Sequence, residues 1–260
     1  MSTLYKFPNF NIEVRDELAL SKPELETFFQ SGEKVACSTT VAPFDLVLGL
    51  DSEDRFSLHW NKAGEKKPIV YELDFIRQIR KLRSFPAPKQ GAFNQALGNK
   101  TKTVLDTTGG WGGDAMLMAA QGYTVTILER NPLMALLLSD AFAHLKRYVD
   151  TVHSPLRVPV VKFLNAIDAL SGLAAQVDCV YVDPMFPPKK KKSAATNKQM
   201  QLLQWMVGED EDASRLVQQA ITHGAKRICV KRPDYAEPLF RKSDQQFSSK
   251  LVHYDVYFAN

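Results

Sequence analysis

An α/β fold, built on a doubly wound parallel sheet and preceded by a small N-terminal α+β lobe, is the architecture this sequence predicts. Three observations carry it. From residue 102 onward, strand-like runs alternate with helical ones. A glycine-rich turn sits between the first strand and the first helix of that series. Before residue 84, short β-like runs follow one another with no helix between them.

Residues 1–32 read as helical and peripheral, with Pro23 at a turn or helix start. Runs at 34–38, 45–50, 55–60 and 68–73, separated by Gly, Pro, Asp and Asn, form a small antiparallel lobe. Residues 74–82 have helical spacing, with Phe75, Ile76, Ile79 and Leu82 on one face and arginines on the other. SFPAPKQG at 84–91 is a loop and marks the boundary. The expected division is a lobe at 1–83, a basic connecting segment at 84–101 and a main domain at 102–260. Within that domain, strands are expected at 103–108, 124–129, 158–164, 177–183 and 227–231. Helices are expected at 114–121, 132–148, 196–207 and 212–223, with Pro132 suited to a first helical turn. An alternating run at 251–258 would close the sheet edge. Ligands of such sheets bind beyond the carboxyl ends of the strands, so the chemistry belongs after Thr108, Glu129, Leu164 and Asp183.

With 260 residues, 45% hydrophobic and 24% charged, the chain suits one large domain plus a lobe. The apolar runs at 115–120 and 134–138 are too short to span a bilayer, and the first residues offer no signal-peptide core. Cys37, Cys179 and Cys229 lie far apart without zinc-like spacing, so no metal site is expected and buried thiols in a cytoplasmic protein are. The net charge of +4 is unevenly spread: seven basic residues and no acid lie between Arg77 and Lys102, and five more lie between Lys189 and Lys198. Either run alone reads equally as solvated surface, but two runs flanking a candidate site favour a nucleic-acid partner.

Three segments carry the chemistry. The first is Asp106-Thr107-Thr108-Gly109-Gly110-Trp111-Gly112-Gly113-Asp114. Its glycines let the backbone turn sharply beside a ligand, and Gly110, Gly112 and Ala115 also fit the dinucleotide pattern GxGxxA. Asp106 separates the readings, because an acid there repels a pyrophosphate and favours the sulfonium and ammonium of S-adenosylmethionine. The second is Glu129, placed to take both ribose hydroxyls or to meet the dipole of the following helix. The third is Asp183-Pro184-Met185-Phe186-Pro187-Pro188, a rigid loop after an apolar strand. An Asp183 oxygen and the Pro184 carbonyl can accept both N–H bonds of an exocyclic base amine, and Phe186 can stack on the base; a plain proline turn is the other reading.

LERNP at 128–132, DPMFP at 183–187 and VKRPDYA at 230–236 together resemble the ribosomal RNA small subunit methyltransferase J family. The resemblance covers roughly residue 100 to the C-terminus, and the first hundred residues match only loosely. It implies a class I methyltransferase Rossmann-like sheet using S-adenosylmethionine, with small-subunit ribosomal RNA or the assembling small subunit as partner and a guanine 2-amino group as acceptor. It implies cofactor contacts at Gly113-Asp114, Glu129-Arg130, Asn165-Ala166 and Asp183. The sequence departs from the family pattern at Gly113, usually arginine, at Asn165-Ala166, usually two serines, and in lacking a glycine-rich basic stretch before the core. Other readings are an amine methyltransferase on DNA adenine, transfer RNA or protein glutamine, a nucleotide-binding oxidoreductase, and an RNA-binding module without catalysis. Lys231, Arg232 and Tyr235 either contact RNA or form salt bridges with Asp234 and Glu237, and Trp111 either faces substrate or packs.

Overall fold

The computed structural model describes residues 2–6, 11–15, 33–35, 45–186, 198–208 and 210–259. The amino end builds a first sheet from β1 (Ser2–Lys6), β2 (Asn11–Arg15), β3 (Glu33–Val35), β4 (Leu46–Leu50), β5 (Phe56–Trp60) and β6 (Ile69–Glu72). Its order is β3-β1-β2-β4-β5-β6. Two expectations are corrected here. The described part of 1–32 is strand rather than peripheral helix, because Tyr5, Ile12 and Val14 point into a core that the interleaved charges concealed. The lobe is also not wholly antiparallel, since β2 and β4 run parallel. Pro23 lies outside the described residues.

Helix α1 (Phe75–Arg80) follows, its first turn capped by Asp74, which accepts from the Arg77 N–H at 2.9 Å. The connecting segment then holds a helix that the sequence reading lacked, α2 (Gly91–Leu97), with Phe93, Asn94, Ala96 and Leu97 buried. Strand β7 (Thr103–Asp106) opens the main sheet, followed by α3 (Gly113–Ala120), β8 (Thr124–Glu129), α4 (Pro132–Thr151), β9 (Val160–Phe163) and α5 (Ala166–Leu173). Next come β10 (Cys179–Val182), α6 (Lys198–Val207), α7 (Ala213–Thr222), β11 (Ile228–Pro233), β12 (Gln245–Ser248) and β13 (Val252–Tyr257).

The main sheet has the order β12-β13-β11-β10-β7-β8-β9. Strands β9, β8, β7, β10 and β11 are parallel, and β13 is antiparallel to both of its neighbours. The strand order reverses beside β7, which is where a doubly wound sheet opens a crevice. The run at 251–258 therefore does not close the sheet. It lies inside, and the short polar β12 forms that edge.

Alternate residues of each strand feed opposite layers. Val104, Cys179, Tyr181 and Cys229 pack with α2, α3 and α4, whereas Leu105, Val180, Val182 and Val230 pack with α5 and α7. Helix α4 is apolar on two sides. Leu138, Phe142 and Leu145 face the main sheet, while Leu133, Met134, Leu136 and Leu137 join Leu46, Leu48, Leu58 and α6 residues in the core under the amino-terminal sheet. The lobe is thus seated directly on the helix that follows Glu129. Among the described residues, no helix is long and apolar enough to cross a membrane.

Candidate active site

The carboxyl ends of β7, β8 and β10 deliver Asp106, Glu129 and Asp183 to one edge, as parallel strands must. Between β7 and α3 the chain turns on Gly109 and Gly112. A Cβ on Gly109 would lie 2.7 Å from Ile127 Cγ2 and 3.2 Å from Glu129 Oε2. At Gly112 the backbone is left-handed, with φ of 73°, and a Cβ would meet Leu138 at 2.7 Å and Phe75 at 2.9 Å. These contacts seat the turn against β8, α4 and α1. Trp111 in the same turn packs rather than standing free: it stacks on Tyr71 of β6 at 5.7 Å, and its indole N–H donates to the Gln199 carbonyl at 3.1 Å.

Two adjoining pockets open here. One is lined by Gly110, Glu129, Arg130, Asn165, Ala166 and Asp210, among others. The other, more open, is lined by Asp106, Gly109 to Asp114, Tyr181, Phe186, Lys231, Arg232 and Tyr235, among others. They share Thr108, Gly110, Asp183, Pro184, Met185 and Leu203, so the Asp183 loop is their common wall. Every residue singled out in the three sequence segments and at Asn165-Ala166 is thereby brought to this edge, except Pro187 and Pro188, which lie outside the described residues.

Hydrogen bonds fix the acids. Glu129 accepts from the Asn131 N–H at 2.7 Å and the Gly110 N–H at 3.3 Å. Asp106 accepts from the Thr108 N–H at 3.1 Å, and the Asp183 N–H donates to Thr108 Oγ1 at 2.6 Å. Asp114, in the first turn of α3, accepts from the Tyr181 hydroxyl at 2.6 Å. Lys231 reaches from β11 to Asp114 at 2.7 Å and Asp183 at 2.9 Å. Burial, aided by neighbouring carboxylates, pushes Asp106 and Glu129 up to about 7 and Asp183 up to about 6. Burial also works to discharge Lys231, but Asp183 and Asp114 outweigh it and hold the ammonium above its usual lysine value.

Several assignments change. Arg130 lines the narrower pocket beside Glu129 and pairs with Asp210 and with Asp212 at 2.7 Å. Asn165 spends its side-chain oxygen capping α5, accepting from the Ile167 N–H at 3.0 Å, which leaves its amide hydrogens for a ligand. Arg232, next to Lys231 but on the opposite face of β11, is buried and paired with Asp255 rather than with Asp234 or Glu237. The basic run from Arg77 to Lys102 does not flank the pockets as a block. Arg80 lies over Tyr148 near the end of α4, Lys89 over Tyr123, and Lys102 precedes β7, so the run descends to the amino edge of the sheet. Residues 189–197 of the second run lie outside the described residues, and Lys198 pairs with Glu65 at 2.8 Å. The sequence reading missed Tyr181, Asp210 and Asp212. The acidic run 209–212 was the visible signal for the last two.

Charge decides what the pockets can hold. Six carboxyl groups (Asp106, Asp114, Glu129, Asp183, Asp210, Asp212) face two cations, Arg130 and Lys231, while Arg232 is consumed by Asp255. A pyrophosphate is repelled by that set, whereas a sulfonium and an ammonium are attracted. Comparison with known proteins agrees. A family model described as "Putative SAM-dependent methyltransferase" matches residues 38–259. Ribosomal RNA small subunit methyltransferase J of Shewanella loihica is 37% identical over 76% of this chain and 78% of its own length. The Erwinia tasmaniensis protein of the same name is 40% identical over 77% and 82%.

The chain belongs to the ribosomal RNA small subunit methyltransferase J family.

It is an S-adenosylmethionine-dependent methyltransferase with a class I Rossmann-like fold. The crystal structure of a methyltransferase of that dependence from Neisseria gonorrhoeae superposes with a TM-score of 0.65 at 27% identity, covering 95% of both chains. The match to the family model begins at residue 38, so it reaches well into the lobe that the motifs had matched only loosely. At Gly113 an added Cβ meets nothing within 4 Å, so the turn leaves open space there.

Proposed function

We propose that this enzyme methylates the exocyclic 2-amino group of a guanine in small-subunit ribosomal RNA, free or within the assembling subunit. The supporting observation is the wall shared by the two pockets. Asp183 and Pro184 face both, the narrower pocket offering Glu129 to a ribose and the Asn165-Ala166 turn to an adenine. The wider pocket holds the acidic glycine turn for the methionine end, and Phe186 and Tyr235 for the base.

When bound, the cofactor supplies an electrophilic methyl group. The chain's own residues position the acceptor. Its amine is a weak nucleophile because the lone pair is delocalised into the ring. One Asp183 oxygen and the Pro184 carbonyl accept its two N–H bonds, which leaves the lone pair directed away from them, toward where the cofactor would present its methyl group. The Thr108 hydroxyl and Lys231 keep Asp183 from swinging away. Phe186 carries the base face. No strong base is required, because methyl transfer itself acidifies the amine, and positioning with local charge does the catalysis.

The test is mass mapping of small-subunit ribosomal RNA from cells lacking the protein. One N2-methylguanine should vanish and return with the wild-type gene. If every such modification persists, while a methyl group disappears from a transfer RNA, DNA adenine or protein glutamine, the target is that one instead.

A further inference from the structure

Lys231 and Arg232 are neighbours on β11 with opposite fates. Arg232 also lines the wider pocket, but its guanidinium is sealed into a buried pair with Asp255. Lys231 instead divides one ammonium between Asp114 and Asp183. We propose that Lys231 is a positioning residue that keeps Asp183 an acceptor of hydrogen bonds, binding one carboxylate oxygen and leaving the other to the amine. The proposal rests on the reading that Asp183 receives the acceptor amine.

The surroundings show why a cation is needed at this place. Asp183 is ringed by acids: Asp106 below it on β7, Asp114 on α3 and Asp210 beyond its own loop. The uncharged groups are the Tyr181 hydroxyl, already given to Asp114, Tyr254 opposite Lys231 on β13, the Cys229 thiol and the Thr108 hydroxyl. Among the described residues, Lys231 alone makes an ion pair with Asp183. Without it, burial and three like charges would favour the neutral acid. A protonated Asp183 turns an O–H toward the amine, which then faces a donor where it needs an acceptor. Lys231 does not act as a base itself, because its two carboxylate partners keep it charged.

The experiment is the single-turnover methyl-transfer rate between pH 5.5 and 9.5, at saturating cofactor and RNA, for wild type, Lys231→Met, Lys231→Arg and Asp183→Ala. The acid limb of the Lys231→Met profile should move up by about one to three pH units. Its rate should fall about threefold or more near pH 6.5 and recover most of that loss at pH 9. Lys231→Arg should restore the limb. A rate lowered by the same factor at every pH would make Lys231 a structural residue and overturn the proposal. Should Lys231→Met not yield folded protein by thermal melting, Lys231→Gln is read in its place against the same two outcomes. A limb that stays put while Asp183→Ala is inactive defeats the role of Lys231 alone. Undiminished activity in Asp183→Ala defeats the underlying reading of the clamp.

Discussion

Asp178 and Asp183 stand at opposite ends of the same strand, β10, and the structure treats them oppositely. At the amino edge, Asp178 accepts from the Lys102 N–H at 2.9 Å and from the Thr103 N–H and hydroxyl at 3.0 Å, with Lys226 at 3.7 Å. Those bonds hold its carboxyl below the usual range. At the carboxyl edge, burial pushes Asp183, Asp106 and Glu129 upward. One edge satisfies its acid completely and ties β7 to β10. The other gathers acids faster than it supplies donors, an arrangement that costs stability until a cation arrives. Excess charge of one sign inside a pocket is therefore the mark of a binding edge, and a saturated carboxylate the mark of a structural one.

Substitutions on the two edges should break differently. The largest effect is expected at the shared wall. Asp183→Ala should lower the single-turnover rate at least about a hundredfold, as for loss of a preorganised polar group. Asp183→Asn, which keeps one accepting oxygen, should retain more activity, and parity between the two variants would remove the clamp. Next, Glu129→Ala should weaken cofactor binding by about 1.5–3 kcal/mol, the range for a hydrogen-bond partner that carries charge. Calorimetry showing unchanged affinity would take Glu129 out of the ribose site.

The pH dependence of that binding sharpens the contrast. Asp106 and Glu129 titrate near 7 in the free protein, and a cation favours their ionised forms. Binding therefore releases protons, and affinity should climb from pH 6 to pH 8 and then level off. A flat profile in that window would mean the acids do not sense the ligand. On the other edge, Asp178→Ala should cost about 1–3 kcal/mol in a urea melt while leaving the methyl-transfer rate alone. Because its folded pKa is depressed, its stabilising share is present above the unfolded value and fades as pH falls through the folded one. The smallest effect is expected for neutralising Lys89, Lys100 and Lys102 together. These side chains lie toward the edge away from the pockets, so the log–log salt slope of RNA binding should move by less than about 0.5. A drop of about two would place RNA on that edge and erase the contrast.

What could be read from the sequence follows the range of the interactions involved. The glycine turn, Glu129 and the Asp183 loop were legible because each is a local pattern: an apolar strand, then a punctuating residue, then a charge. Helix α4 was legible through its apolar spacing and Pro132. Lys231 was visible, but its inward direction was not, because that depends on the register of β11 against β10 and β13. Strands β1 and β2 were hidden by charges between their buried residues, and β12 by its polar composition. Asp210 belongs to the site only because it accepts from the Met185 N–H at 2.7 Å and pairs with Arg130, both far away in sequence.

Helix α2 was the least legible element, and its position has a consequence for synthesis. Phe93 meets Tyr181 edge-on at 5.8 Å and Tyr254 at 5.7 Å, and the Arg227 guanidinium donates to the Ala96 carbonyl at 2.8 Å. Every one of those partners is translated later than α2, Tyr254 more than 150 residues later. At about 5–20 residues per second, the wait for β13 is on the order of ten to thirty seconds. Throughout that interval the side of Phe93 that meets Tyr254 has no wall to rest against. The nascent chain thus carries a partly uncovered adhesive stretch out of the very machine whose RNA its finished form is proposed to modify, and the cover is completed only when the last hairpin docks.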